Sequence, residues 1–89
     1  MSMTTQGRLV ATRLDEAAGR WVRDRRRAAR LTQSDLAGHL GVSYQQIQKY
    51  ESGANRMSVG TFLAIAEVLH QPLSRAFAAV SASAIEDES

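Results

Sequence analysis

Apolar residues recur at intervals of three and four along most of this chain, the spacing that places them on one face of an α-helix. No window alternates apolar and polar residues over the length of a strand, and Pro72 is the only proline. The pattern therefore predicts an all-α chain without a sheet. The predicted helices cover about 14–29, 33–40, 44–52, 59–69 and a fifth segment that begins at Pro72.

Residues that cap helices mark three of the predicted starts. Thr32 precedes the second helix with Asp35 three positions later, and Ser43 precedes the third helix with Gln46 at the same spacing. Each pair can form a capping box, in which two side chains satisfy two free backbone N–H groups at the start of a helix. Ser58 is the expected cap of the fourth helix.

The two ends of the chain carry weaker signals. Thr12, followed by two acidic residues, is the expected cap of the first helix. Residues 1–13 are polar and without period, so we predict a flexible arm there. Residues 83–89 include three acidic groups and are predicted to form a disordered tail. One folded domain then covers residues 14–82.

Glycine follows the second and the third predicted helix, at Gly41 and Gly53. A helix commonly ends in a left-handed residue, a conformation that glycine adopts without strain. The three residues 41–43 are all that separate these two helices. Two short helices joined by a three-residue turn that contains glycine form a helix-turn-helix unit.

The third predicted helix has a polar face without acidic residues. On a helical wheel, with about 100° per residue, Ile47 and Tyr50 fall together on the side expected to face the core. The opposite arc holds Tyr44, Gln45, Gln48, Lys49 and Ser52. Amide, ammonium and phenol groups donate hydrogen bonds, which base edges in the major groove of DNA accept. An ordinary solvated face is the alternative interpretation, and it would be preferred if this helix stood alone.

The composition excludes several classes of protein. The 89 residues allow one small domain, and the absence of cysteine excludes disulfides, thiolate zinc sites and thiol nucleophiles. His39 and His70 stand far apart, without a carboxylate at ligand spacing. We therefore expect no enzyme activity, no metal and no cofactor. No apolar run is long enough for a membrane span or a signal peptide, so we expect a cytoplasmic protein without a membrane partner.

The net charge of +2 conceals an uneven distribution of charge. All 11 basic residues lie within 1–75, with five arginines between positions 23 and 30, whereas the last residues carry only acidic groups. With a pI of about 9.7, this distribution suits a polyanionic partner such as nucleic acid. A run of charge is more often a solvated helix face, so charge alone makes nucleic acid a candidate and no more.

Residues 19–77 resemble the Xre-type helix-turn-helix family of phage repressors, Cro proteins and many bacterial regulators. The residues that carry the resemblance are Thr32-Gln33, Leu36-Ala37, Leu40-Gly41-Val42-Ser43, Ile47, Tyr50-Glu51 and Gly53. It implies a compact five-helix lambda-repressor-like fold, in which helix 33–40 crosses the DNA backbone and helix 44–52 enters the major groove. The chain departs from the family at Arg30, where glycine is usual, and at Trp21, where a polar residue is frequent.

The resemblance also implies roles for individual residues. By position, contacts with bases fall to Tyr44, Gln45, Gln48 and Lys49. Contacts with the DNA backbone fall to Gln33, Ser43, Ser52, Asn55 and Arg56. Arg26 and Glu51 match a pair that in the family often forms an ion pair between the first and third helices. Together these assignments describe one helix that reads DNA and a structural pair that holds it.

The predicted function is sequence-specific binding of double-stranded DNA by a transcriptional regulator, with repression as the default outcome. One reading helix covers few base pairs, so we expect a homodimer on an inverted-repeat operator. The expected interface residues are Leu73, Phe77, Val80 and, as a further candidate, Trp21. The alternative is an antitoxin or another protein-interaction module of the same fold, with a toxin or a second regulator as its partner. The expected location is a bacterial cytoplasm, for a bacterial or phage protein, at the nucleoid when bound to DNA.

Overall fold

The computed structural model describes residues 4–86, and this part of the chain forms five α-helices without a strand. The helices are α1 (Thr5–Ala28), α2 (Gln33–Leu40), α3 (Tyr44–Ser52), α4 (Val59–Val68) and α5 (Leu73–Glu86). The predicted all-α class and the predicted number of helices are confirmed. None of these helices combines the length and the apolar character that a membrane span requires.

The starts of α2, α3 and α4 agree with the predicted N-caps, but of the two predicted capping boxes only the one at Thr32 and Asp35 is complete. The Asp35 N–H donates to Thr32 Oγ1 at 2.9 Å, and the Thr32 N–H donates to Asp35 Oδ2 at 2.8 Å, which completes the capping box. The hydrogen bond from the Thr32 backbone is the main reason that the pKa of Asp35 is lowered. Ser43 and Ser58 each accept a bond from the backbone N–H three positions later, at 3.2 and 3.0 Å. These side chains fix where the three helices begin.

Helix α1 begins more than two turns before the predicted start near residue 14, so that prediction is wrong. Thr4 is the N-cap, and its hydroxyl accepts a hydrogen bond from the Gly7 N–H at 3.0 Å. Thr12, the predicted cap, lies inside the helix and donates to a backbone carbonyl one turn earlier at 2.9 Å. The prediction failed because it required an apolar stripe, whereas a nucleated helix propagates through polar residues. Residues 5–13, predicted to be a flexible arm, therefore extend α1.

Helix α5 extends past the predicted end of the domain. Ala84 is buried, and the hydroxyl of Ser83 accepts a hydrogen bond from Arg20 Nη2 at 3.1 Å, which joins α5 to α1. The prediction of a disordered tail is therefore wrong for residues 83–86, because they are helical and packed on the domain. The rest of the predicted tail, 87–89, lies outside the described residues.

One buried core joins all five helices. Its largest fully buried side chains are those of Leu36, Ile47, Ile65 and Val22. A row of aromatic rings leads from this core toward the surface: Trp21 and Phe62 lie 5.2 Å apart between ring centroids, and Phe62 and Phe77 lie 5.5 Å apart. Trp21 is partly buried and packs against the core. The row ends at Phe77, which is about half exposed on α5.

Left-handed residues follow helices α1 to α4. Gly41 has a φ of 70° and Gly53 has a φ of 77°, which confirms the two predicted helix ends. Helices α1 and α4 are followed instead by Arg30, with a φ of 60°, and His70, with a φ of 54°. In this conformation a Cβ lies too close to the following carbonyl oxygen. Two of the four helix ends therefore carry backbone strain that glycine would avoid.

Candidate nucleic-acid interface

The face of α3 that was predicted to read bases is open to solvent. Ile47 on the opposite side is fully buried, and Tyr50 is partly buried against the core. The exposed residues of the arc are Tyr44, Gln45, Gln48, Lys49 and Ser52. The arc therefore presents amide, ammonium, phenol and hydroxyl groups, with no acidic side chain among them. Such a surface can donate hydrogen bonds to the acceptor atoms that bases expose in the major groove.

Local hydrogen bonds close both ends of α3. Before it, the Val42 N–H donates to the Ala37 carbonyl at 3.1 Å and ends α2, and the hydroxyl of Ser43 then caps α3. After it, Ser52 Oγ donates to the Lys49 carbonyl at 3.2 Å. The turn between α2 and α3 therefore has one defined geometry. Both serines that were predicted to contact the DNA backbone also serve the ends of the helix.

A buried ion pair fixes α3 against α1. Arg26 Nε donates to Glu51 Oε2 at 2.6 Å and Arg26 Nη2 donates to Glu51 Oε1 at 3.0 Å, so the contact is bidentate. Arg26 Nη1 donates to the Leu31 carbonyl at 2.7 Å. Hydrogen bonding to the Glu51 carboxylate raises the pKa of Arg26, which stays protonated. Both residues are buried, so each depends on the other, because a lone buried charge is costly.

Gln33 belongs to the same network. Its Nε2 donates to Glu51 Oε1 at 3.1 Å, which ties the first residue of α2 to the last turn of α3. The resemblance implied a contact between Gln33 and a DNA phosphate, and the spacing of the sequence does not signal the bond to Glu51. Since an amide nitrogen carries two N–H groups, the second can still donate to a phosphate.

The loop after α3 is tied to α1 and to the end of α3. Arg56 Nε donates to Asp15 Oδ2 at 3.0 Å; the Arg56 side chain is 59% exposed and that of Asp15 is 23% exposed. The backbone N–H of Asn55 donates to the Lys49 carbonyl at 3.2 Å. The sequence did not predict the contact between Asp15 and Arg56, because no periodic pattern links a residue of a helix to a residue of a distant loop. Both predicted backbone contacts, Asn55 and Arg56, lie on the surface.

Gly19 allows α1 and α3 to approach more closely than any side chain would permit. A Cβ at this position would lie 2.4 Å from the Tyr50 carbonyl oxygen and 2.7 Å from the Glu51 carbonyl oxygen. The backbone of α1 therefore lies directly on the last turn of α3, beside the buried ion pair. Sequence reasoning did not assign this role, although a glycine inside a helical pattern is the signal that points to a close approach.

The arginines near the end of α1 are divided between core and surface. Arg26 is buried in the ion pair, and Arg25 is exposed. Arg23 Nε lies 4.0 Å from Asp24 Oδ1 and is buried without a hydrogen-bond partner. The run of arginines between positions 23 and 30 therefore includes residues with a structural role and is not only a surface for a polyanionic partner. In the part of the chain that the structure describes, no three histidine, aspartate or glutamate side chains are grouped to hold a metal ion.

The fold and the exposed face of α3 together define a helix-turn-helix protein. Residues 17–77 match the helix-turn-helix domain family, and the chain belongs to that family. The family is Xre-like, which confirms the resemblance seen in the sequence. No solved structure matches the chain.

Curated relatives are bacterial proteins named as transcriptional regulators. A transcriptional regulator in the ATPase CF(0) region of Rhodospirillum rubrum is 47% identical over 64 residues, which cover 72% of this chain and 59% of the relative. An HTH-type transcriptional regulator of Sinorhizobium fredii is 40% identical over 62 residues, which cover 70% of this chain and 43% of the relative. An HTH-type transcriptional regulator of Rickettsia conorii is 35% identical over 68 residues, which cover 76% of this chain and 54% of the relative. The chain thus spans about half the length of these relatives.

Proposed function

We propose that this chain is a transcriptional regulator that binds double-stranded DNA sequence-specifically and places α3 in the major groove. The observation that carries the proposal is the exposed, acid-free face of α3 on a helix that a buried ion pair holds in place. Donor groups on this face suit the acceptors N7 and O6 of guanine and N7 of adenine. The names of the curated relatives support a regulatory role. Such a protein works at the nucleoid, in the cytoplasm of a bacterium.

The proposed contacts divide into those that read bases and those that hold the backbone. Gln45 and Lys49 lie about one turn apart on the exposed face, so they address neighbouring bases. Tyr44 and Gln48 flank them and complete the reading set. The proposed backbone contacts are Gln33, Ser43, Ser52, Asn55 and Arg56. These five residues border α3, where phosphates flank a helix that lies in the major groove.

We propose that the protein binds an inverted-repeat operator as a homodimer. Phe77 is 47% exposed and lines an apolar cavity of about 260 Å³ between α1, α4 and α5, and Leu73, one turn earlier, is 39% exposed. A second copy that covers these side chains would remove apolar surface from water. Val80 is buried but lines the same cavity, and Trp21 packs against the core, so the more exposed Leu73 and Phe77 form the centre of the proposed interface.

Repression is the proposed outcome of binding. A domain of this size can block polymerase by occupying a promoter, without making any contact with the enzyme. The alternative, an antitoxin or another protein-interaction module with a toxin or a second regulator as partner, does not need a donor-rich reading face. The two functions therefore differ in what they require of α3.

Selection of bound sequences from a random duplex library tests the reading face. Gln45→Ala and Lys49→Ala should each weaken binding to the selected site by about 1–3 kcal/mol and relax the preference at about one or two base pairs, because each removes a contact with a base edge. Gln71→Ala removes an amide from the connection between α4 and α5 and serves as the matched control. It should change neither affinity nor preference.

Two results would count against the proposed function. The wild-type chain could enrich no sequence, or Gln45→Ala and Lys49→Ala could both keep the wild-type affinity and base preference. In either case α3 is not the reading helix, and the interaction-module alternative takes the place of DNA reading.

A further inference from the structure

We propose that Asp15 is a positioning residue for the contact between Arg56 and the DNA backbone, an inference that rests on the proposed function. The Asp15 carboxylate holds the Nε edge of the Arg56 guanidinium before DNA arrives. The two terminal nitrogens of the same guanidinium are then left to bind a phosphate. Asp15 itself does not touch DNA in this arrangement.

The donor inventory of arginine permits both contacts at once. A guanidinium carries five N–H donors in a rigid planar fork. The Nε N–H is used by Asp15 Oδ2 at 3.0 Å, which leaves the four donors of Nη1 and Nη2. Because the Arg56 side chain is 59% exposed, these donors lie where a phosphate can approach, and such pairs of N–H groups match phosphate oxygens bidentately.

The carboxylate is the fixed partner of the pair. Asp15 lies on α1 and its side chain is only 23% exposed, whereas Arg56 lies in the loop between α3 and α4. The next residue, Glu16, supports the end of α3: a Cβ at Gly53 would lie 3.1 Å from Glu16 Cγ and 3.3 Å from Glu16 Cα. One turn of α1 therefore supports both the end of the reading helix and the arginine that follows it.

This turn of α1 precedes the part of the chain that matches the family. The family match begins at residue 17, directly after Asp15 and Glu16. Asp15 and Glu16 also lie close to residue 14, where the sequence predicted that a flexible arm ends and the first helix begins. The helix instead continues back to Thr5, so Asp15 lies three turns inside a regular helix and its backbone is held on both sides.

The Asp15 carboxylate has two opposed effects on DNA binding. Its negative charge repels phosphates, an interaction that salt screens over about 8 Å at physiological ionic strength. It also holds Arg56 in one conformation, which spares the protein the loss of side-chain freedom on binding. Ordering one rotamer-rich side chain weakens an interaction by about two- to ten-fold. The pair is already formed in the free chain, and the proposal requires the positioning effect to be the larger of the two.

A double-mutant cycle with Asp15→Ala and Arg56→Ala separates the two effects. The probe is a fluorescein-labelled duplex of mixed sequence, because a phosphate looks alike at every step, and the readout is anisotropy at two salt concentrations. Asp15→Ala should lower the affinity about two- to ten-fold when Arg56 is present. In the Arg56→Ala background it should cause no loss, since only the repulsion is removed. Arg56→Ala alone should lower the salt slope by about one ion.

Asp24→Ala is the matched control for the charge. Asp24 is another acidic residue of α1, with a side chain that is 64% exposed, and it lies near Arg23 rather than Arg56. Its removal changes the net charge by the same amount and should leave the affinity unchanged or raise it. Circular dichroism melts establish that each variant is folded at the assay temperature.

Three results would overturn the proposal, each in a distinguishable way. A gain of affinity in Asp15→Ala with Arg56 present would show that Asp15 only repels the phosphates. An equal loss in both backgrounds would show that it acts through the fold and not through Arg56. If the wild-type chain did not bind the duplex even at low salt, the proposed function itself would fail and this inference with it.

Discussion

Arg30 holds a backbone conformation that glycine adopts more easily. Its φ is 60°, its N–H donates to the Arg27 carbonyl at 3.0 Å, and the Leu31 N–H donates to the Arg26 carbonyl at 3.1 Å. This is the Schellman arrangement, in which the residue after the helix cap is left-handed. The two bonds close the end of α1, but they do not remove the contact between the Arg30 Cβ and the following carbonyl oxygen.

Arg30→Gly should therefore raise the free energy of unfolding by about 0.5–1 kcal/mol. Glycine relieves roughly 1–2 kcal/mol of left-handed strain and costs roughly 0.5–1 kcal/mol in chain entropy. Urea unfolding followed by circular dichroism measures the change. Arg27→Gly is the matched control: it removes an arginine from inside the last turn of α1 and should lower stability by about 1 kcal/mol. Equal losses in both variants would contradict strain at Arg30.

At the scale of the helices, the contact between α1 and α3 depends on one missing side chain. Gly19→Ala would place a Cβ 2.4 Å from the Tyr50 carbonyl oxygen, a backbone atom that cannot rotate away, so the two helices must separate. We expect a loss of about 1–3 kcal/mol in stability, as for other overpacked contacts. DNA affinity should fall as well, because the angle of α3 changes.

The matched control for Gly19→Ala is Gly38→Ala in α2. Apart from the neighbouring residues and backbone of α2 itself, nothing lies within 4 Å of the Cβ that this change adds, so it should stabilise the helix by up to about 1 kcal/mol. Thermal melts and binding to the selected duplex are measured for both variants. A Gly19→Ala protein as stable as the wild type would show that α1 and α3 do not approach as closely as the structure has them.

Helices with local signals at both ends could be predicted from the sequence. The bounds of α2 follow from the box at Thr32 and the left-handed residue at Gly41, which lie within a few positions of the residues they serve. The start of α1 could not be placed, because its cap at Thr4 is followed by polar residues without an apolar stripe. The end of α5 was missed for a related reason: small residues such as Ala84 pack against the domain without a strong hydrophobic pattern.

The candidate site divides in the same way. The exposed face of α3 follows from the period of one helix, so the residues on that face could be predicted from the sequence, whereas their contacts with bases remain a prediction. The bond between Gln33 and Glu51 and the bond between Asp15 and Arg56 could not, because these residues meet only when three helices and a loop have packed. The ion pair between Arg26 on α1 and Glu51 on α3 was predicted from the resemblance to a family and not from the spacing of the residues.

At the scale of the whole molecule, the exposed apolar residues of α5 favour a second copy as partner. The aromatic row from the core ends at Phe77, and Leu73 lies one turn before it on the same helix. Two copies joined through this surface would present two α3 helices to DNA. Since one α3 in the major groove would read only a few base pairs, pairing would supply specificity that a single copy lacks.

Sequence selection should therefore return an inverted repeat whose half-site centres lie about 34–36 Å apart, roughly one turn of DNA. Leu73→Asp should convert the dimer to a monomer in sedimentation equilibrium and weaken binding to the full operator by about 10²- to 10⁴-fold, while binding to an isolated half-site stays unchanged. Leu73 is the better choice than Phe77, which also stacks on the core residue Phe62. Ile85→Asp, at an exposed position near the other end of α5, is the matched control and should leave the dimer intact. Enrichment of one asymmetric site bound by a single copy would contradict the dimer, because a monomer has no symmetry to impose on its operator.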